Sequence, residues 1–214
     1  MTKYLTDKAH VCIWGITGYS GDYGGKSVLA NWWMTNLVNK GVCDLGIFFN
    51  PKADSFVNGD TVNDVYELAD RIRMGSNMFD FRPASTTGED EHAELMDFLN
   101  HYPGSKIVVH DEASDYDDQG GSLHWAVKRG GNEAEMKSIV LSQSPVDLET
   151  AIRKQCVYRI WIGPVGNDEI HYFRQMDAED VFHQIEGQEA YHWTVFDIGG
   201  ELVAKNQPVD ASMG

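Results

Sequence analysis

Strand-sized apolar runs that alternate with helix-period segments constrain this chain more than any other feature. "HVCIWGI" (10–16), "DLGIFFN" (44–50), "KIVVHDE" (106–112), "EMKSIVLSQS" (135–144) and "CVYRIWIG" (156–163) are short and nearly continuous in apolar residues. Such runs read as strands buried on both faces. Between the first two, Val28, Leu29, Trp32, Trp33 and Leu37 share one face of a helix predicted from Lys26 to Lys40, which Gly41 stops. A capping Asp60 predicts a second helix through Arg73, with Val62, Val65, Ala69 and Ile72 inward. "NMFDF" (77–81) reads as a short strand. Thr87 and Asp90 form a capping box for a helix over roughly 88–101. Ser144 and Pro145 read as an N-cap followed by proline at the first helical position. "EIHYFRQM" (169–176) reads as a further strand, "WTVFDI" (193–198) as an edge strand and "NQPVDASMG" (206–214) as a frayed end.

Strands alternating with helices predict an α/β fold: a mostly parallel sheet with helices on both faces. Ligands bind such sheets beyond the carboxyl ends of the strands. The pattern divides the chain into a core over 1–176 and a C-terminal helix/strand appendage and tail over 177–214. No apolar run approaches the ~20 residues of a membrane span, and "MTKYLTDKAH" has no signal-peptide core, so a cytoplasmic location is expected. Cys12, Cys43 and Cys156 are too far apart for a disulfide framework or a metal motif and read as free buried thiols.

"GITGYSGDYGGKS" (15–27) then asks a specific question, because it ends in Gly-Lys-Ser just where a helix opens. Amide groups at a helix N-terminus, with the helix dipole behind them, bind anions. In a phosphate loop, Lys26 reaches the β- and γ-phosphates and Ser27 holds Mg²⁺. Gly18, Gly21, Gly24 and Gly25, with the main chain of Lys26, Ser27 and Val28, would cradle the nucleotide. The usual pattern is G-x-x-x-x-G-K-[ST], yet the octet here is "SGDYGGKS", with Ser20 in the first glycine's place. Either this is the loop, or "GITG" and "GGKS" are its halves with "YSGDY" inserted, or the segment is a glycine-rich turn with a surface lysine.

Two other strand ends bear on the choice. "IVVHDE" closes on Asp111 and Glu112: an aspartate for the metal's water shell and a glutamate to orient and deprotonate an attacking water. "SIVLSQS" closes on Gln143, an amide suited to touch the γ-phosphate. Three signals, each at a strand's carboxyl end, together favour a nucleotide site.

These residues carry a resemblance. "GITG…GGKS", "KIVVHDEAS", "IVLSQSPVDLETAIRKQCVYRIWIG" and "GIFFNPKADSF" resemble the FtsK/HerA-like DNA-pumping ATPases, and most of all the small viral genome-packaging ATPases. The resemblance covers about residues 10–175 and departs at the loop, which in that family is a short G-x-T-G-x-G-K-[ST]. It implies a RecA-like P-loop NTPase that binds ATP and Mg²⁺, a homo-oligomeric ring of five or six subunits, double-stranded DNA as partner, a capsid or vertex protein as a further one, and a place in the host cytoplasm or the virion. It also implies an arginine supplied by the neighbouring subunit. Of Arg71, Arg73, Arg82, Arg129, Arg153, Arg159 and Arg174, the preferred candidate is Arg129, in the glycine-flanked "HWAVKRGGN", and the second is Arg153.

The charge sits awkwardly with DNA. There are 33 acidic against 17 basic residues, a formal net charge of -16. A whole-chain basic footprint is absent. In near-saturating salt, however, counterion release no longer drives DNA binding, and an acidic exterior aids solubility. That combination fits a virus of halophilic archaea. The other readings are a nucleotide-binding regulatory or partitioning ATPase that does not translocate DNA, and a small-molecule kinase. The latter is disfavoured by the lack of an arginine-rich lid and by Glu112 beside Asp111, which favours water as acceptor.

Overall fold

The computed structural model describes residues 10–15, 25–53, 57–85, 88–116, 120–165, 169–175 and 178–209. Its frame is a nine-stranded sheet in the order β3-β4-β2-β5-β6-β1-β7-β8-β9. The strands are β1 (His10–Trp14), β2 (Leu45–Phe49), β3 (Asp60–Val62), β4 (Met78–Phe81), β5 (Lys106–His110), β6 (Met136–Ser142), β7 (Cys156–Ile162), β8 (His192–Asp197) and β9 (Leu202–Pro208). Strands β1 to β7 pair in parallel. The β7–β8 and β8–β9 pairs are antiparallel. Every residue of β1, β2, β5 and β6 is buried, which is why these strands read as unbroken apolar runs and not as alternating ones.

The helices are α1 (Lys26–Asn39), α2 (Val65–Arg73), α3 (Glu89–His101), α4 (Ser122–Trp125), α5 (Gly131–Glu133), α6 (Thr150–Arg153), α7 (Ile170–Gln175) and α8 (Glu179–Ile185). Alternate residues of β1 feed two cores. Val11 and Ile13 join Leu29, Trp33, Met34 and Leu37 of α1 on one face. Cys12 and Trp14 join Leu68, Leu95, Leu123, Ile152, Phe173 and Phe182 of the other helices on the opposite face. Connection handedness explains the division. The chain steps from β1 one way to β2, then returns the other way through β4, β5, β6 and β7. Right-handed crossovers therefore place α1 on one face and the later helices on the other. The crevice where the two directions part opens at the carboxyl end of β1.

Several local expectations are corrected. Asp60 begins β3, and the cap of α2 is Asp64, whose Oδ1 accepts from the amides of Tyr66 (2.9 Å) and Glu67 (2.8 Å). Thr87 lies outside the described residues; the α3 N-cap is Gly88, at φ 68° with no side-chain cap. Residues 170–175 form α7 and not a strand: the β7 edge is already paired with β8, so Phe173 packs its ring 5.2 Å from that of Trp161 over the sheet face. The glycine-flanked stretch around Arg129 is helical, running from α4 through a π-turn (Ala126–Gly130) into α5. Its glycines permit close approach: a Cβ on Gly130 would lie 2.4 Å from Met136 Cε. Ser144 does cap, accepting from the Val146 amide at 3.3 Å, but the helix it opens is a single 3₁₀ turn (Pro145–Asp147) ahead of α6. Residues 206–208, expected to fray, belong to β9.

Candidate nucleotide site

The site begins where β1 ends. Gly15 has φ 154°, and a Cβ there would lie 2.3 Å from the Ile162 carbonyl oxygen. Only glycine lets the end of β1 pass the end of β7 this closely. The chain returns at Gly25, in the left-handed region (φ 78°, ψ -13°), as the N-cap of α1. Its carbonyl accepts the first helical bond, from the Leu29 amide at 2.9 Å. The amides of Lys26, Ser27 and Val28 precede that bond and have no intrahelical acceptor, and Gly25 offers no side chain to cap them. Gly18, Gly21 and Gly24, together with the "YSGDY" stretch, lie outside the described residues.

Lys26 Nζ donates to the Gly15 carbonyl at 2.7 Å, which turns the ammonium back toward the end of β1. Burial pulls its pKa below the usual lysine value, and the Asp111 and Glu112 carboxylates oppose that pull. Ser27 Oγ donates to Asp111 Oδ2 at 3.2 Å. The contact joins residues 84 positions apart, and it reaches over β6, which lies between β1 and β5. Asp111 extends β5 by one residue, its amide donating to the Phe49 carbonyl at 3.1 Å. Its Oδ1 accepts from the Glu112 amide at 3.0 Å, and its carbonyl from Tyr116 Oη at 2.8 Å. The aspartate is 6 % exposed, so it is fixed by the fold and turned toward Ser27.

Glu112 ends the run in a left-handed conformation (φ 48°, ψ 43°). Such backbone is uncommon for a non-glycine residue and collects at functional sites. Its carboxylate is mostly buried and meets Lys52 Nζ at 3.3 Å; Asp115 shares the same ammonium at 3.6 Å. Gln143 is exposed one residue past β6, beyond the Trp14–Ser142 register pair. The fold therefore sets four strand ends side by side: Gly15 after β1, Gln143 after β6, Asp111 and Glu112 after β5, and Lys52 after β2.

The two arginine candidates are elsewhere. Arg129 is exposed in the π-turn, whose next residue, Gly131, abuts His10 at the start of β1. Arg153 is half-buried, donates to Thr150 Oγ1 at 2.8 Å, and precedes Cys156 at the start of β7. Both lie toward the amino edge of the sheet, away from Lys26 of the same chain. Sequence reasoning missed Lys52 and Tyr116. A cation three residues past a buried strand was the available signal for the first, in "FFNPK"; nothing local marked the second.

Ser27 and Asp111 match the donor set of a magnesium ion. Mg²⁺ takes oxygen ligands, draws only one or two from protein, and fills the rest of its shell with water and substrate phosphates. No cluster of three or more His, Cys, Asp or Glu side chains exists among the described residues, and such a shell does not call for one.

With this geometry in hand, solved structures supply the comparison. The DNA-packaging ATPase from Sulfolobus turreted icosahedral virus superposes with a TM-score of 0.74 at 13 % identity, over 96 % of this chain and 100 % of that one. The chain has the fold of a viral DNA-packaging ATPase. The genome-packaging NTPase from Sulfolobus turreted icosahedral virus 2, in complex with ATP-gammaS, matches at TM-score 0.72 and 12 % identity, over 95 % and 100 % of the two chains. The conjugation coupling protein TcpA, also with ATPgS, matches at TM-score 0.64 and 13 % identity over 97 % of this chain and 62 % of its own. No protein-family model matches the sequence, and no curated protein matches it. The packaging-ATPase likeness spans β8 and β9 as well as the parallel core, since it covers nearly the whole of both chains.

Proposed function

We propose that this chain is an ATP-hydrolysing motor that drives double-stranded DNA, in the manner of a viral genome-packaging ATPase. The observation that carries the proposal is the contact between Ser27 and Asp111 at 3.2 Å. It joins the loop that would cradle the phosphates to the strand that carries the acid pair. The full-length likeness to packaging ATPases and an NTPase with a bound nucleotide analogue supports it. Residues 1–176 would hold the motor chemistry, and residues 177–214 would add the antiparallel flank and tail.

In this reading the amides of Lys26, Ser27 and Val28 and the Lys26 ammonium hold the triphosphate. Ser27 and Asp111 would hold Mg²⁺, which when bound neutralises phosphate charge. Glu112 orients the attacking water and accepts its proton, and Lys52 sets where that carboxylate rests. Gln143 reaches the γ-phosphate from the strand between. Arg129, or Arg153 as the alternative, would act on a neighbouring subunit's site in a ring of five or six, because its position keeps it from its own. A transition state that spreads charge over phosphate oxygens needs such positive groups. The acidic surface, at net charge -16, suits a high-salt setting such as a haloarchaeal host, where DNA is held by loop geometry more than by counterion release.

The test is phosphate release with and without linear double-stranded DNA, from moderate to molar salt. Stimulation by DNA is expected. Hydrolysis that ignores DNA at every salt would favour the regulatory ATPase, and no hydrolysis at all would remove the enzyme reading.

A further inference from the structure

Resting on the nucleotide-site reading, we infer that the C-terminal flank supplies the nucleobase subsite, with Tyr191 as the stacking platform and Val209 and Ile162 as its floor. The triphosphate has a direction. Its γ end must lie toward Asp111 and Glu112 on β5, so its nucleoside end runs the other way, past Gly25, toward β7 and β8. What stands there is an apolar shelf. A Cβ on Gly25 would be 3.4 Å from Ile162 Cγ2, 3.6 Å from Val209 Cγ2 and 3.7 Å from Tyr191 Cδ1. Ile162 is buried, Val209 is half-buried, and Tyr191 keeps 41 % of its surface open.

The flank is built to hold that ring in place. Gln188, 7 % exposed, donates to the carbonyls of Gly163 at 2.9 Å and His192 at 3.0 Å, and its Oε1 accepts from Thr194 Oγ1. One buried amide thus fastens the 186–191 turn to the carboxyl end of β7. The Val209 amide donates to the Tyr191 carbonyl at 2.6 Å, which ties the end of β9 to the same turn. Tyr191 itself sits at φ 59°, a conformation a bulky residue seldom adopts unless its surroundings enforce it. A large, half-open aromatic ring held in uncommon backbone beside a phosphate loop is suited to stack a base, which presents a π-face whatever its edge. This gives the residues beyond 176 a part in the site: they complete it on the nucleoside side.

Calorimetric titrations with ATP, GTP and inorganic tripolyphosphate, each with Mg²⁺, test the inference. Tyr191→Asn removes the ring while suiting the left-handed backbone. It should weaken ATP and GTP about tenfold, the size of a lost base–aromatic stack, and leave tripolyphosphate unchanged. Tyr191→Phe should bind all three as the wild type does. ATP affinity within twofold of wild type in Tyr191→Asn overturns the inference, and so does a Phe variant as weak as Asn, which would make the hydroxyl the contact. Should Tyr191→Asn lose tripolyphosphate too, Val209→Ser decides: selective weakening of ATP supports the shelf, and unchanged ATP affinity overturns it. A wild-type protein that binds neither ATP nor tripolyphosphate would instead remove the phosphate-site reading on which the inference rests.

Discussion

Replacing Glu112 with Gln separates binding from chemistry more cleanly than any other change. The substitution keeps the side chain's shape and removes its charge and its ability to take a proton. Three consequences follow from the structure. Stability should hardly move: the ion pair lost is Lys52–Glu112 at 3.3 Å, with 41 % of the lysine side chain exposed, and pairs of that kind contribute under about 1 kcal/mol. Lys52 also keeps Asp115 at 3.6 Å. ATP affinity should stay within a few-fold, because Lys26, Ser27 and Asp111 keep their contacts. Turnover should fall by about 10²–10⁴, the usual contribution of a positioned general base, equivalent to roughly 3–5 kcal/mol of barrier. Equilibrium binding of ATP and single-turnover phosphate release, on the same protein preparation, measure the two quantities. Loss of ATP binding together with hydrolysis would refute the assignment and make Glu112 a metal-site or structural residue; turnover within threefold of wild type would refute it from the other side.

Lys26→Ala should leave the fold intact and cut hydrolysis by on the order of 10³, since a charge-assisted phosphate contact is lost; near-normal phosphate release would remove the nucleotide site. Arg129→Ala should keep ATP binding and lose most hydrolysis, and mixing it with excess Lys26→Ala subunits should restore part of the activity. No recovery from co-assembled, folded mutants would argue that Arg129 does not act across the subunit boundary. Acid should destabilise the protein through three buried histidines: burial holds His92 at about 3, burial and then Lys137 hold His10 at about 4, and burial above all keeps His110 far below the ordinary value. Their stabilising effect is complete above the unfolded value of 6.5 and is lost as pH falls toward the folded values, at about 1.4 kcal/mol per pH unit for each histidine that only the unfolded chain protonates. Urea midpoints measured from pH 7.5 to 4.5 should drop steeply below 6.5, and a flat profile would contradict the buried neutral pair His92–His110, in contact at 2.9 Å.

The strands most legible in the sequence are those the sheet buries on both sides. Ile107 to Val109 and Ile139 to Leu141 have no exposed face to interrupt the apolar run, so length and composition are enough to mark them. The acid pair and Gln143 were visible for the same reason, as polar residues that end such runs. Where the pattern misled, a tertiary contact decided. Ile170, Tyr172 and Phe173 look strand-like in isolation, yet β8 occupies the β7 edge and leaves them the sheet face, where a helix packs. The helical path through Gly130 and Gly131 was hidden because those glycines serve close approach to Met136 and His10, a purpose that local propensity does not reveal. Lys52 meets Glu112 from a turn 60 positions away in sequence, and only the pairing of β2 with β5 brings the two together.

The central claim, that ATP turnover at this site moves DNA, is tested most directly by displacement of a triplex-forming oligonucleotide from linear double-stranded DNA. With ATP and Mg²⁺ the wild-type protein should release the third strand, and Glu112→Gln should bind ATP without releasing it. Steady ATP hydrolysis by the wild type with the third strand still in place, at every salt concentration that supports hydrolysis, would contradict the account.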